Sequence, residues 1–393
     1  MKTRIAPRIL DYLKPLEEAV EQIANTWRPG DPEYRADVYR QIMMQLSYGY
    51  FAFFHADAEH PDWAPLWNPV YTLQPNPDDI YLYCPISSEY RYRITGNRGT
   101  ARMVTLDTQL SLSGLPWEND VTGAYYHDID DGDLEIDANG DFELLLSAER
   151  PAGHSGNWLK IERGARVLMT RYRSYDWESE IDPVMSIECL NPTGRKQRLS
   201  PAEILERIDH MARMPERCMK LFYGMQNAVK ASVGVNVFEP VRYGGALSRQ
   251  VYLPAVFEFE DDEALVLETE LPAKRRYWNF QLNDPYFNAI EYVYRLSSTN
   301  GHFAQVSSDG KFRAVISLED PGVPNWLDPA GFRQGTIYGR WYDCDGSPTP
   351  TLERVKFKDI RQHLPADTPV VSPQERAEQL RRRVRAAQRR RRW

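Results

Sequence analysis

Apolar residues in the first sixty positions recur at steps of three and four. In "RILDYLKPLEEAVEQIANTW", Ile9, Leu13, Leu16, Val20 and Ile23 share one helical face. A second run, "DPEYRADVYRQIMMQLSYGYFAFF", opens with Asp31 as N-cap and Pro32 at the first helical position. It ends in Tyr48, Tyr50, Phe51, Phe53 and Phe54. From about residue 68 the period drops to two. "IYLYCPI", "YRYRITG", "ARMVTLDTQL", "DLEIDANGDFELLLS" and "NWLKIERGARVLMTRYRSYDW" are short, rich in β-formers and separated by turn residues. The helical period returns in "LSPAEILERIDHMARMPERCMKLFYGMQNAVKAS", where Ser200, Pro201 and Glu203 spell a capping box. Alternation resumes from 236 to 358, in runs such as "QVYLPAVFEFEDDEALVLETELP", "RYWNFQLND" and "GTIYGRWYD". The last segment, "SPQERAEQLRRRVRAAQRRRRW", repeats the capping signature at Ser372, Pro373 and Glu375 and reads as a basic helix.

These patterns predict a mainly β chain with flanking helices: two β-sandwich-like or barrel-like modules joined by a helical segment. The expected boundaries are an N-terminal helical segment over 1–64, a first β module over 65–195 and a helical linker over 196–235. A C-terminal β module over 236–360 and a basic helical tail over 361–393 complete the chain.

Charge refines this picture. The 393 residues carry a net charge of −8. Nine arginines against two glutamates leave the last 21 residues at +7, so the other 372 carry −15. An acidic body argues against a surface built for nucleic acid. The basic tail could latch onto the body's acidic surface or onto a second copy, giving a homo-oligomer. Four widely spaced cysteines form no CxxC, and seven histidines form no HExxH. No metal and no cofactor is therefore expected. The charged N-terminus has no signal-peptide core, and no run approaches the roughly 20 apolar residues of a membrane span. The expectation is a cytoplasmic, soluble protein.

Three stretches could carry chemistry. In "RRYWNFQLND" alternate residues share a face. Trp278, Phe280 and Leu282 form an apolar face, and Arg275, Tyr277, Asn279 and Gln281 a polar ladder. If enclosed, that ladder needs partners, and a small-molecule ligand could supply them. In "EDPGVPNWLDPAGFRQGTIYGRW" three prolines stiffen a loop leading into a strand, offering Asn325, Trp326 and Asp328 at its tip and Arg340 beyond it. In "QPNPDDIYLYCP", Asp78 and Asp79 sit in a proline-bounded turn, where they could bind substrate or simply make the turn. His302, in "TNGHFA", is the loop histidine best placed to join such a site. The site reading takes His302 and Asp78 as catalytic groups. Arg275, Tyr277, Asn279, Gln281, Asn325, Trp326, Asp328 and Arg340 would bind substrate.

The stretches "QPNPDDIYLYCPISSEYRYRITGNRGTARMVTL", "GNWLKIERGARVLMTRYRSYDWESE", "RRYWNFQLNDPYFNAIEYVYR" and "EDPGVPNWLDPAGFRQGTIYGRW" resemble a bacterial family. It is built around the domain of unknown function numbered twelve-fourteen, which larger relatives pair with a domain numbered twelve-fifty-four. The resemblance spans roughly residues 65 to 393. It implies two β modules surrounded by helices, the second similar to a jelly roll, and no established reaction. The residues then leave three readings open. One is a cofactor-independent lyase, isomerase or hydrolase acting on a hydroxylated or lipid-like small molecule. The others are a non-catalytic module for a carbohydrate or apolar metabolite, and a structural subunit.

Overall fold

The computed structural model describes residues 9–24, 32–112, 125–242 and 247–390. Asp31, expected as a helix cap, lies outside the described residues. The chain begins with helices α1 (Ile9–Tyr12), α2 (Pro15–Ala24) and α3 (Pro32–Phe54). A first block of strands follows: β1 (Ala64–Pro65), β2 (Asp79–Pro85), β3 (Tyr92–Asn97), β4 (Met103–Gln109), β5 (Tyr125–Asp130), β6 (Asp141–Ser147), β7 (Trp158–Lys160), β8 (Val167–Arg173) and β9 (Val184–Cys189). Helices α4 (Pro201–Ala212) and α5 (Met214–Val233) lead to a second block. It comprises β10 (Gln250–Glu258), β11 (Glu263–Thr269), β12 (Arg275–Asn283), β13 (Ser298–Asn300), β14 (Phe312–Ile316), β15 (Trp326–Leu327), β16 (Gln334–Cys344) and β17 (Thr351–Lys356). Helix α6 (Pro373–Arg389) closes the described chain. Both expected capping boxes form, Ser200 with Glu203 and Ser372 with Glu375. A cap of this kind stabilises a helix by about 0.5–2 kcal/mol.

Each block makes two facing sheets. The first pairs the order β1-β2-β8-β4-β5 with β7-β6-β3-β9; the second pairs β10-β16-β12-β13 with β15-β14-β11-β17. Apart from β1, the second order is the first shifted by eight strands. Even the parallel pair recurs, β6 with β7 and β14 with β15. The chain is therefore a topological duplication, which its sequence pattern does not announce.

Alternation decides what each sheet buries. Ile94, Leu106, Leu144 and Leu168 fill the first sandwich; Leu253, Trp278, Phe280 and Trp341 fill the second. Full burial of each such side chain stabilises by about 1.5–3 kcal/mol. Strands β4 and β8 are buried at every position, and β12 from Tyr277 onward. Period-two strands buried on both faces must be covered twice. One face meets the core of its own sandwich, and the other meets the opposite sandwich. Helices α3 and α5 pack over one part of this junction with Tyr48, Met214 and Phe222, against Tyr83, Phe287 and Tyr338. Helix α6 covers another part, with Ala386 and Ala387 against Trp177 and Tyr292. Among the described residues no helix is long and apolar enough to cross a membrane.

Candidate functional site

The polar ladder of β12 does not meet water. Tyr277, Asn279 and Gln281 are fully buried beneath the first sandwich. Asn76 donates from Nδ2 to the Tyr277 hydroxyl (2.8 Å), and Asn279 donates from Nδ2 to Asn76 Oδ1 (2.9 Å). The Tyr277 hydroxyl donates to Asp78 Oδ2 (2.6 Å). The other Asp78 oxygen accepts from Trp177 Nε1 (2.8 Å) and Asn300 Nδ2 (2.7 Å). Burial nevertheless raises the pKa of Asp78. Its neighbour goes the other way. Asp79 is equally buried, but Arg173 grips both its oxygens, Nε at 2.6 Å and Nη2 at 2.7 Å. Burial pushes Asp79 upward, and the charge and hydrogen bonds of Arg173, with the more distant charges of Arg340 and Arg171, outweigh it, so its pKa falls below the usual value. The "PNPDD" turn is thus a connector between sandwiches.

The duplication gives this layer an internal reference. The cross-strand row Tyr81–Arg171–Thr105 in the first sandwich corresponds to Tyr252–Arg340–Asn279 in the second. Each arginine lies over its tyrosine, Arg171 at 5.6 Å and Arg340 at 5.9 Å from the ring centre. Arg171 pairs with the buried carboxylate of Asp107, which also accepts from Gln109. At the corresponding place Arg340 finds an amide. Its Nη1 donates to Gln281 Oε1 (2.7 Å) and, at 3.4 Å, to Asn279 Oδ1. Gln281 in turn donates to Asn283 Oδ1 (2.7 Å).

A second feature lies beside α6. A groove of about 410 Å³ runs between this helix and the segments around Thr299–Phe303 and Pro324–Trp326. His302 sits on its rim, with Nε2 3.5 Å from Asp176 Oδ1 and its side chain 44% exposed. Gly301 is needed before it, because a Cβ there would overlap the Tyr175 hydroxyl and the Trp278 ring. Arg383 lines the groove, 8% exposed, with its guanidinium 4.5 Å from the centre of the Trp177 ring. It donates from Nε to the Tyr292 carbonyl (2.6 Å) and from Nη2 to Ser298 Oγ (2.7 Å). Burial lowers its pKa to about 10, against the pull of Asp78 and Glu291. Among the described residues no group of three or more His, Cys, Asp or Glu side chains is placed to hold a metal ion.

A family model described as a protein of unknown function, DUF1214, matches residues 85–177 and 260–345. The two stretches run over corresponding strands, β3 to β8 and β11 to β16. The crystal structure of an uncharacterised protein from Burkholderia cenocepacia is similar over 89% of this chain and 96% of its own, with 27% identity and a TM-score of 0.81. The VPA0106 protein of Vibrio parahaemolyticus is similar over 80% of this chain and 100% of its own, with 12% identity and a TM-score of 0.45. No curated protein matches the chain.

The expected site residues separate into three groups. Asp78, Tyr277, Asn279, Gln281 and Arg340 come together in the layer between the sandwiches. His302, Asn325 and Trp326 line the groove instead. Arg275 and Asp328 join neither. Arg275, at the exposed start of β12, donates to the Pro272 carbonyl (2.7 Å). Asp328 pairs with Arg295 (2.8 Å) and accepts from the Ala330 amide (2.8 Å). Asn325 is a brace: its Nδ2 donates to the carbonyls of Gln305 and Arg313, both at 2.7 Å. The proline-stiffened loop is held by the tail, since Arg376 binds Asp320 (2.8 Å) and the Val323 carbonyl (2.5 Å). A single cavity gathering all ten residues does not form. Arg171, Arg173, Asp107 and Arg383 were not singled out from sequence. The alternation in "RYRSYDW" signals the first two, whereas Arg383 is one of nine arginines in the tail.

Proposed function

We propose that the protein binds a small anionic molecule in the groove beside α6 and acts on it by proton transfer at His302, without a held cofactor. The observation that carries this reading is Arg383. It is a buried cation on a cavity wall; Glu178, Glu375 and Glu378 also line the groove, but none of them lies within ion-pair distance of it, and Glu178 and Glu378 are paired with Arg382, Arg381 and Arg385. Buried charges are ordinarily paired, because desolvating a lone one costs several kcal/mol. A carboxylate or phosphate bound there would complete the pair, while Phe303 and Trp326 offer surface to an apolar or hydroxylated body. His302, oriented by Asp176, would move the proton, and lyase, isomerase or hydrolase chemistry asks for little more than such a group and oriented donors. A reducing, cytoplasmic setting belongs to the same reading and is supported by four unpaired cysteines.

Binding without turnover is the second reading, favoured by the exposure of the His302 ring at the rim. One experiment separates the two. A panel of carboxylates and phosphate monoesters carrying an apolar or hydroxylated body is screened by thermal shift against acetate as the bodiless reference, and hits that exceed acetate are followed by mass spectrometry for conversion. Arg383→Met should abolish the excess over acetate. His302→Asn should keep it and lose conversion. A hit that is never converted leaves the binding reading, and an excess unchanged in Arg383→Met removes both.

A further inference from the structure

We infer that Arg340 heads a second, separate anion site in the layer between the two sandwiches, suited to a carboxylate or another small monoanion. The argument starts from burial. Arg171, Arg173 and Arg340 are 5%, 1% and 3% exposed, and the acids that pair with the first two, Asp107 and Asp79, are 0% exposed. Asp79 is taken by both nitrogens of the Arg173 fork. Asp107 is taken by Arg171. Arg340 has no carboxylate within ion-pair distance among the described residues, and its charge reaches Asp79, whose oxygens both belong to Arg173, only across the layer. Its hydrogen bonds leave only from Nη1 and end on two neutral amides. Nε and Nη2 donate to nothing among the described residues. A guanidinium has five N–H donors in a flat fork that matches the two oxygens of a carboxylate.

The duplicated sandwich turns this imbalance into a comparison within one molecule. Tyr81–Arg171–Thr105 and Tyr252–Arg340–Asn279 are corresponding rows, and the residue that balances the arginine stands two positions along the neighbouring strand in both. It is Asp107 in the first sandwich and Gln281 in the second. Each then continues to a further amide, Gln109 or Asn283. The local design is the same except that one oxygen-bearing negative charge has become a neutral carboxamide. What the first sandwich supplies from its own chain, the second must take from solution. Tyr252 and Tyr338, whose rings lie 5.9 and 6.0 Å from the Arg340 guanidinium, flank the cation. Asp78 does not serve it: that carboxylate is held by Tyr277, Trp177 and Asn300.

The test uses the full chain and acetate as probe. Thermal melts are recorded with acetate, and with neutral acetamide as the shape control, at constant ionic strength set by a bulky sulfonate. Acetate at saturation should raise the melting temperature of the wild type by about 2–4 °C, and acetamide should not. Gln281→Glu installs the carboxylate that the first sandwich already has, and the acetate response should vanish. Arg340→Gln should remove it too. Arg383→Met, altered only in the groove, should keep it. Equal responses to acetate and acetamide, no response at all, or a full response in Gln281→Glu would each overturn the assignment. Loss of the response in Arg383→Met would move it to the groove and overturn it as well. Should Arg340→Gln fail to fold, the wild type, Gln281→Glu and Arg383→Met still decide.

Discussion

In the strand rows that the two sandwiches share, the first pairs its buried acids with its own arginines, and the second has no such pair. Both present the same strands to the layer between them, yet Asp79 and Asp107 of the first stand where the second has Gln250 and Gln281. Asp79 and Asp107 each meet a guanidinium of their own sandwich, whereas Asp78 is held by neutral donors and Asp130 by Arg249 and Arg276 of the second. The second is a set of tyrosines and amides with one arginine among them, and its remaining buried acid near the helices, Asp284, meets Arg40 only at 3.8 Å. A shared strand order sets where side chains meet. Which atoms sit at those places sets whether the layer only holds the halves together or can also accept something.

The strongest way to break this comparison is to unpair the first sandwich. Arg173→Met leaves Asp79 charged and buried, and should cost about 3–5 kcal/mol in a urea melt. A loss below about 1 kcal/mol would mean that the pair is not the clamp described.

Titration gives the next largest effect. Burial lifts Asp284 to about 6, from an ordinary value of 3.8, against the hydrogen bonds of Asn288. Between those two values the folded chain keeps a proton that the unfolded chain has lost. This group's contribution is therefore full below about pH 4 and is lost as pH rises through about 6, amounting to roughly 3 kcal/mol. Asp284→Asn should flatten that part of the pH–stability curve, and parallel curves for the two proteins between pH 4 and 7 would contradict it.

Arg340→Met sharpens the contrast from the other side. It orphans only amide oxygens, so with no added anion it should cost about 1–2 kcal/mol, well short of Arg173→Met. The smallest effect belongs to the tail. Arg382 and Glu178 form a largely exposed pair at 2.8 Å. Arg382→Ala should change stability by about 0–1 kcal/mol, with the difference fading at high salt.

Much of this architecture is legible in the chain. The alternation of β12 correctly sends Trp278, Phe280 and Leu282 into the core and Tyr277, Asn279 and Gln281 to the opposite face. The two capping boxes start α4 and α6 at the expected serines. What periodicity cannot tell is what covers a polar face. The partners of Tyr277 and Asn279 are Asn76 and Asp78, some 200 residues away in sequence. Proximity along β16 and its preceding loop also misleads. Asn325 and Arg340 are close in sequence, yet Asn325 braces backbone carbonyls while Arg340 faces the other sandwich. The duplication stays hidden because a sandwich needs only apolar residues of suitable size on alternate positions, and many sequences meet that demand.

Because each half offers its partner the same sheet, the junction has the form of a homodimer contact drawn within a single polypeptide. In a true homodimer every surface residue occurs twice, so an exchange of carboxylate for amide would strike both subunits together and leave two guanidinium groups stranded. Covalent continuity lifts that restriction. One copy can keep Asp107 and stay a fixed support while the other carries Gln281 and diverges, so specialisation of a single half becomes accessible through a one-sided change that a symmetric assembly would have to make in duplicate.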